Sequence, residues 1–252
     1  MKEIQQITVG GLPIAVEDCD GAARTMLDFA YDSRGKEQRP LYVTSANGQV
    51  LSICARDKEI EDLFLKADLI HADGTPLVKA SRLLSKTPLP ERVATTDLIH
   101  NAARLAEKEE ATFYFLGATE EGIKLAVETM QRLYPDLRFV GYRNGYVTPQ
   151  EEADVIARIN EAKPDILWIG MGVPLEQRFV ARNLEKLTGV GVIKTSGGLF
   201  DFLSGKNARA PQWMQDVGLE WAYRIYQEPG RLFWRYLTTN PHALWLLLTR
   251  TR

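Results

Sequence analysis

Few residues in this sequence are placed to do chemistry, and Asp73 is the sharpest of them. It stands in "HADGTP", after an apolar run and ahead of a glycine and a helix start. A carboxylate held at a strand end can take the proton of an attacking hydroxyl, as a general base does. The same position also suits a cap for a helix beginning near Pro76, or an Asx-turn, and position alone weighs the two readings equally. His71 lies two residues earlier, so on a strand it shares a face with Asp73. No serine occupies a G-x-S-x-G elbow, which leaves His71 a packing or supporting role and not a place in a nucleophilic triad.

Two glycine turns, "GMGVP" and "SGGLFDFLSGK", offer backbone N–H groups to phosphate oxygens, the arrangement a nucleotide diphosphate needs. The second is no Walker A loop: its glycine spacing is wrong, and Asn207 stands where Ser or Thr would hold magnesium. The first lacks the third glycine of a dinucleotide fingerprint, which disfavours an NAD enzyme. Asp18 and Asp20 in "EDCD" spell D-x-D, but no His or Asp cluster supports them. They read as solvated surface, and no metal is expected. Arg92 in "PERVATTDL" and Arg143 in "GYRNGY" have the fork that suits a diphosphate, although a solvated arginine is the default for each.

The elements that must position these residues follow from hydrophobic patterning. Short apolar runs ending in Gly, Asp or Ser alternate with helical stretches: "PLYVTSANGQV", "ADLIHADGTP", "ATFYFLGAT", "LRFVGY", "DILWIGMG" and "GVIKTSGGLFDFL" carry the strands. Thr148, Pro149 and Glu151 form a capping-box signature ahead of a helix. Alternation of this kind predicts an α/β fold, a Rossmann-like, mostly parallel sheet with helices on both faces. Ligands of such sheets sit beyond the carboxyl ends of the strands. The expected site map is therefore Ser45 and Asn47, Asp73 and Gly74, Gly117, Tyr142, Gly170 and Gly172, and Gly197 and Gly198, with Asp201 just beyond.

The chain is long enough, at 252 residues, for one α/β domain with an appendage. Its start has no apolar stretch behind a basic one, so no secretory signal is read, and Cys19 and Cys54 are too few for a disulfide scaffold or zinc site. Both fit a reducing, intracellular compartment. The net charge of -2 hides an asymmetry: residues 205–252 carry seven Lys and Arg against three Asp and Glu, with four of the five tryptophans. A division into a core, 1–204, and a basic, aromatic helical appendage, 205–252, is expected, and a tail of that kind suits an anionic surface. Trp221, Tyr223, Tyr226, Phe233, Trp234 and Tyr236 suit an interfacial zone, and Arg224, Arg231 and Arg235 lipid phosphates. Pro229-Gly230 is expected to break the tail into two short helices. Leu246-Leu247-Leu248 beside Trp245 favour a lipid surface over a nucleic acid, but the run from Ala243 is far short of the ~20 residues a spanning helix needs.

Read in order, "ADLIHADGTPLV", "PERVATTDL", "FYFLGA", "VGYRNGYV", "PDILWIGMGVPLEQ", "GGLFDFLSG" and "RAPQWMQDVGLEWAYRIYQEPGRLFWRYL" resemble the WecG/TagA/CpsF family of bacterial glycosyltransferases, over about Gly10 to Leu237. The resemblance implies inverting transfer of a sugar from a UDP-sugar to a saccharide on a polyprenyl diphosphate, in surface or exopolysaccharide synthesis and without a metal or other cofactor. It implies a peripheral protein on the cytoplasmic face of the bacterial inner membrane, whose appendage docks on the membrane and helps close the site. Asp73 matches the family's proposed base, and Ser45-Ala46-Asn47 its Thr-x-Asn turn, with Thr44 beside it as a second hydroxyl. Where the family commonly reads Pro-Lys-Gln-Glu, this chain has Pro174-Leu175-Glu176-Gln177, so the family glutamine's donor-binding role falls to Glu176 or Gln177. Arg209, Arg224 and Arg231 are the tail arginines available to a departing diphosphate. A nucleotide-binding regulatory module without turnover is the alternative. The sequence names neither the donated sugar nor the acceptor saccharide, and it is compatible with a homo-oligomer.

Overall fold

The computed structural model describes residues 4–252, apart from the side chains of Asp216 and Arg231. In chain order the elements are β1 Gln6–Val9, β2 Leu12–Ala15, α1 Cys19–Ser33, β3 Leu41–Ala46, α2 Gly48–Cys54, α3 Lys58–Phe64, β4 Leu69–Ala72, α4 Thr75–Leu84 and α5 Thr95–Glu109. There follow β5 Thr112–Gly117, α6 Glu120–Leu133, β6 Arg138–Arg143, α7 Glu152–Ala162, β7 Ile166–Gly170, α8 Leu175–Asn183 and, after a 3₁₀ turn, β8 Val192–Thr195. Four helices complete the chain: α9 Leu199–Leu203, α10 Gln212–Val217, α11 Glu220–Gln227 and α12 Pro229–Thr249.

β3 to β8 form one sheet in the order β4-β3-β8-β7-β5-β6, with every pairing parallel. Strand alternation sorts its side chains to two faces. Leu41, Val43, Phe113, Phe115, Trp168 and Val192 pack with α1, α5, α6 and α9. On the other face, Tyr42, Leu167, Ile169 and Ile193 pack with α7 and α8, and Ala46, Ile70 and Ala72 pack with α2 and α4. Burial on both faces explains why these strands read as continuous apolar runs. Because the strands are parallel, all their carboxyl ends lie along one edge.

Two features differ from the sequence reading. "QITVGGLPIA" is an antiparallel hairpin, β1 with β2, turning at Gly10 and Gly11, both at positive φ. Chain from the far end of the sequence completes it: Gly11 N–H donates to Arg250 O at 3.0 Å, Arg252 N–H to Thr8 O at 2.9 Å, and Gly10 N–H to Thr251 Oγ1 at 3.1 Å. The second difference is in the tail. The chain does break after Gln227, but α12 then runs unbroken for 21 residues, through Pro241. Leu246 and Leu247 do not face a lipid surface: they are 0% and 3% exposed, in the same core as Val50, Leu51 and Leu77. Helical periodicity turns them inward while Trp245 and Leu248 stay exposed, and Gly48 on α2 leaves room for Ala243. Among the described residues, no helix is long and apolar enough to cross a membrane.

Candidate active site

Asp73 follows β4 directly, its N–H donating to Ala46 O at 2.8 Å, so neighbouring strand ends fix its backbone. It does not cap α4, whose N-cap is Gly74 with no side-chain bond. Its Oδ2 instead accepts from the N–H of Thr95, the first residue of α5, at 3.4 Å. Burial pushes the carboxyl above its ordinary range, with Arg92 and Lys194 pulling the other way. The residue is half-buried.

Lys194 went unread in the sequence. It is the third residue of β8, in an apolar run, and is 0% exposed. Its Nζ donates to Ser45 Oγ and to Thr195 O, both at 2.8 Å. Burial pushes its ammonium down to about 8, against the opposing pull of Asp73 and Glu176. Ser45 Oγ lies 3.3 Å from Thr95 Oγ1, so a polar chain leads from Lys194 through Ser45 and Thr95 to Asp73. Thr44 faces away from this chain, buried, accepting from Thr195 Oγ1 at 2.7 Å and Gln177 Nε2 at 3.4 Å. Asn47 caps α2, its Oδ1 accepting from Val50 N–H at 3.1 Å, and it packs beside Gly74. His71 is buried, 3.0 Å from Glu17 Oε2 through Nε2.

The glycine turns are already occupied. Gly172 and Gly197 have φ of +82° and +57°, left-handed values that glycine adopts freely, and their N–H groups point at Glu176. This carboxylate, 2% exposed, accepts from Met171 N–H and Gly172 N–H at 3.2 Å each and from Gly197 N–H at 3.0 Å. Gln177 Nε2 adds a bond at 3.2 Å. Burial pushes Glu176 up to about 7, although the Gly197 N–H and the Lys194 charge favour its ionised form. Glu176 thus ties the ends of β7 and β8 together. Gly198, next to this clamp, has open space where a side chain would stand. Gly117 and Gly170 serve close approach: a Cβ on Gly117 would lie 2.2 Å from Gly170 O, and one on Gly170 2.6 Å from the Phe200 ring.

The appendage meets Asp73 through Arg92. Arg92 donates to Glu220 on α11, to Asp97 at 3.4 Å and to Gln215 on α10 at 3.3 Å. Arg209 donates to Asp97 at 2.6 Å and Gln215 at 2.8 Å. Beside them lies a cavity of about 320 Å³ lined by Thr75, Glu91, Arg92, Asp97, Gln212 and Gln215; Thr75 stands two positions after Asp73 in the chain.

The structure thus gathers Asp73, Gly74, Ser45, Arg92 and Arg209 around one end of the cleft, and Glu176, Gln177, Gly170, Gly172, Gly197 and Gly198 next to it. Tyr142 is not gathered: β6 is five strands from β4, or roughly 24 Å at the usual strand spacing. Gly117 on β5 is one strand nearer. Asp201 pairs with Lys206 at 3.2 Å. Arg224 lies over the Phe202 ring at 5.7 Å and Arg235 over Tyr236 at 5.0 Å, while the Arg231 side chain lies outside the described residues. Trp221 and Trp234 are 39% and 68% exposed. Asp18 caps α1 and Asp20 accepts from Asn101. Among the described residues, no group of three or more His, Cys, Asp or Glu is arranged to hold a metal ion.

A parallel α/β sheet with a carboxylate, cationic side chains and glycine turns at its strand ends belongs to the open α/β class, whose ligands bind along that edge. The sequence profile of the Glycosyl transferase WecG/TagA/CpsF family matches residues 7–252, and the chain belongs to that family. It is similar to an N-acetylglucosaminyldiphosphoundecaprenol N-acetyl-beta-D-mannosaminyltransferase of Bacillus subtilis strain 168, with 31% identity over 81% of this chain and 78% of the relative. A relative of the same name from Bacillus spizizenii is 30% identical, over 86% and 82% of the two chains. One from Staphylococcus aureus strain MW2 is 29% identical, over 76% and 74%.

Proposed function

We propose that this protein moves a sugar of the N-acetylmannosamine type from a UDP-sugar to a polyprenyl-diphosphate-linked saccharide, with inversion at the anomeric carbon. The observation that carries the reading is Asp73: a half-buried carboxylate at a strand end, tied to Thr95 N–H and flanked by Arg92 and Lys194. Asp73 accepts the proton of an acceptor hydroxyl while that oxygen attacks the anomeric carbon from the side opposite the diphosphate. The C–O bond to UDP breaks as the new glycosidic bond forms, and the leaving diphosphate carries off the electron pair. Arg92 and Arg209, held over the cavity by shared acceptors, are placed to exchange those partners for phosphate oxygens. The names of the relatives support the acceptor class.

The acceptor's lipid places the work at a membrane surface. Exposed Trp234, Phe233, Tyr226 and Trp245 on α11 and α12 suit an interfacial contact, and the reading takes the protein as peripheral, on the cytoplasmic face. The reading assigns the leaving charge to arginines and routes no step through a metal.

Replacing Asp73 with Asn tests the assignment. UDP-sugar binding, followed by calorimetry, stays near the wild-type value, while release of UDP in the presence of the lipid-linked acceptor falls by roughly 10²-fold or more, the usual worth of a general base. Undiminished turnover in this variant refutes it.

A further inference from the structure

Lys194 has no part in the proton transfer described above, yet its burial is costly. An ammonium taken out of water survives in a fold only where opposite charge and hydrogen bonds replace its hydration. Here the replacements come from the site itself: Ser45 Oγ, Thr195 O, and the carboxylates of Asp73 and Glu176. The groups facing it are, from β4, His71 and Asp73, with Glu17 behind His71; from α8, Glu176; and from α1, Cys19.

Asp73 has a corresponding need. Burial favours its protonated form, and a protonated base cannot accept the acceptor's proton. Its other cation, Arg92, exerts the larger pull but is shared with the carboxylates of Glu220 and Asp97, and Glu220 itself opposes ionisation of Asp73. Arg92 also lies on a loop facing the appendage, whereas Lys194 is fixed in the sheet.

We propose that Lys194 is a positioning residue for the transfer: from beneath the strand ends it holds Asp73 in its ionised form and fixes the Ser45 hydroxyl that leads through Thr95 to that carboxylate. This rests on Asp73 being the base.

The test is the pH profile of kcat/KM for Lys194→Met and Lys194→Gln beside wild type. The acid limb moves up by about one to three pH units, the usual effect of one nearby opposite charge on a carboxylate. Below the limb the loss is about tenfold per unit, recovering as the pH rises. A profile lowered at every pH with its limb unmoved overturns the proposal. A second measurement does not depend on the Lys194 variants folding. Coupling between two sites is reciprocal, so the Lys194 ammonium, followed by ¹⁵N NMR, titrates at a lower pH in Asp73→Asn than in wild type. An unchanged midpoint also overturns the proposal. Undiminished turnover in Asp73→Asn removes the base and the proposal with it. An inactive Asp73→Asn beside an unmoved limb in Lys194→Gln removes only the role of Lys194.

Discussion

Substitution of Glu176 probes how the cleft is held together. Its carboxylate takes three backbone N–H donors, from Met171, Gly172 and Gly197, at 3.0–3.2 Å in a site sealed from solvent. Bonds to a charged acceptor are worth about 1.5–3 kcal/mol each, and a buried donor left unsatisfied costs a similar amount. Glu176→Ala removes the acceptor from all three, and with partial refilling by water the expected loss is about 3–6 kcal/mol. Glu176→Gln behaves differently. Gln177 Oε1 is buried with no hydrogen-bond partner among the described residues, so it can turn to accept from the new amide, and the loss is held to about 1 kcal/mol. The measurement is urea unfolding, with an unchanged m-value marking a change in stability alone. The pH dependence gives a second reading. Folding raises Glu176 from 4.5 to about 7, so the folded state binds this proton more tightly than the unfolded one. That contribution is full below pH 4.5 and is lost as the pH rises through about 7, roughly 3 kcal/mol in all. The stability of wild type minus that of Glu176→Gln therefore falls across this window. A cost below about 1 kcal/mol for Glu176→Ala refutes the clamp, and a flat difference curve shows that the N–H donors offset burial in full.

Two further substitutions probe the appendage. Glu220→Gln removes the charge that holds Arg92 to α11, and backbone hydrogen exchange over α10 and α11 accelerates while that of β3, β4 and β8 is unchanged; equal exchange in both proteins shows that the pair does not hold α11. Leu247→Ala, at a position 3% exposed, destabilises the whole domain by about 2–5 kcal/mol in urea, whereas a loss confined to vesicle binding shows that α12 serves only as an anchor.

The inner strands of the main sheet were legible because a parallel sheet buries both their faces, leaving largely apolar runs, whereas β6 at the edge has exposed and half-buried residues in alternation. The places of Ser45 and Asp73 at the ends of β3 and β4 could be read from those runs, whereas Arg92 stands on the loop ahead of α5 and is brought back to the end of β4 by the bond from Val93 N–H to Ala72 O. The hairpin at Gln6–Ala15 was not, since its two four-residue strands complete their pairing with chain some 240 residues away. Lys194 stood in plain view in "GVIKTSGG" as a charge within an apolar run, but its partners on β3 and beyond β4 are set by strand order, which no local pattern reports. Glu176 read, through the family resemblance, as a candidate for donor binding. Its geometry shows instead that the N–H groups expected to cradle phosphate are held by the protein's own carboxylate. In the tail, composition set apart the aromatic and basic residues, while the inward turn of Leu246 and Leu247 depended on where α12 lies against α2.

The union of residues 8–11 with residues 250–252 also bears on how the protein is made. During synthesis the hairpin leaves the ribosome while its partners, 241 positions later for Gly10 and Thr251, are still unwritten. Until residues 246–252 emerge, the nascent chain carries an incomplete hairpin and a core lacking Leu246 and Leu247, a form open to mispairing. Closure waits until residues 250–252 have left the ribosome, and a polypeptide stalled before α12 lacks the contact that seals the hairpin.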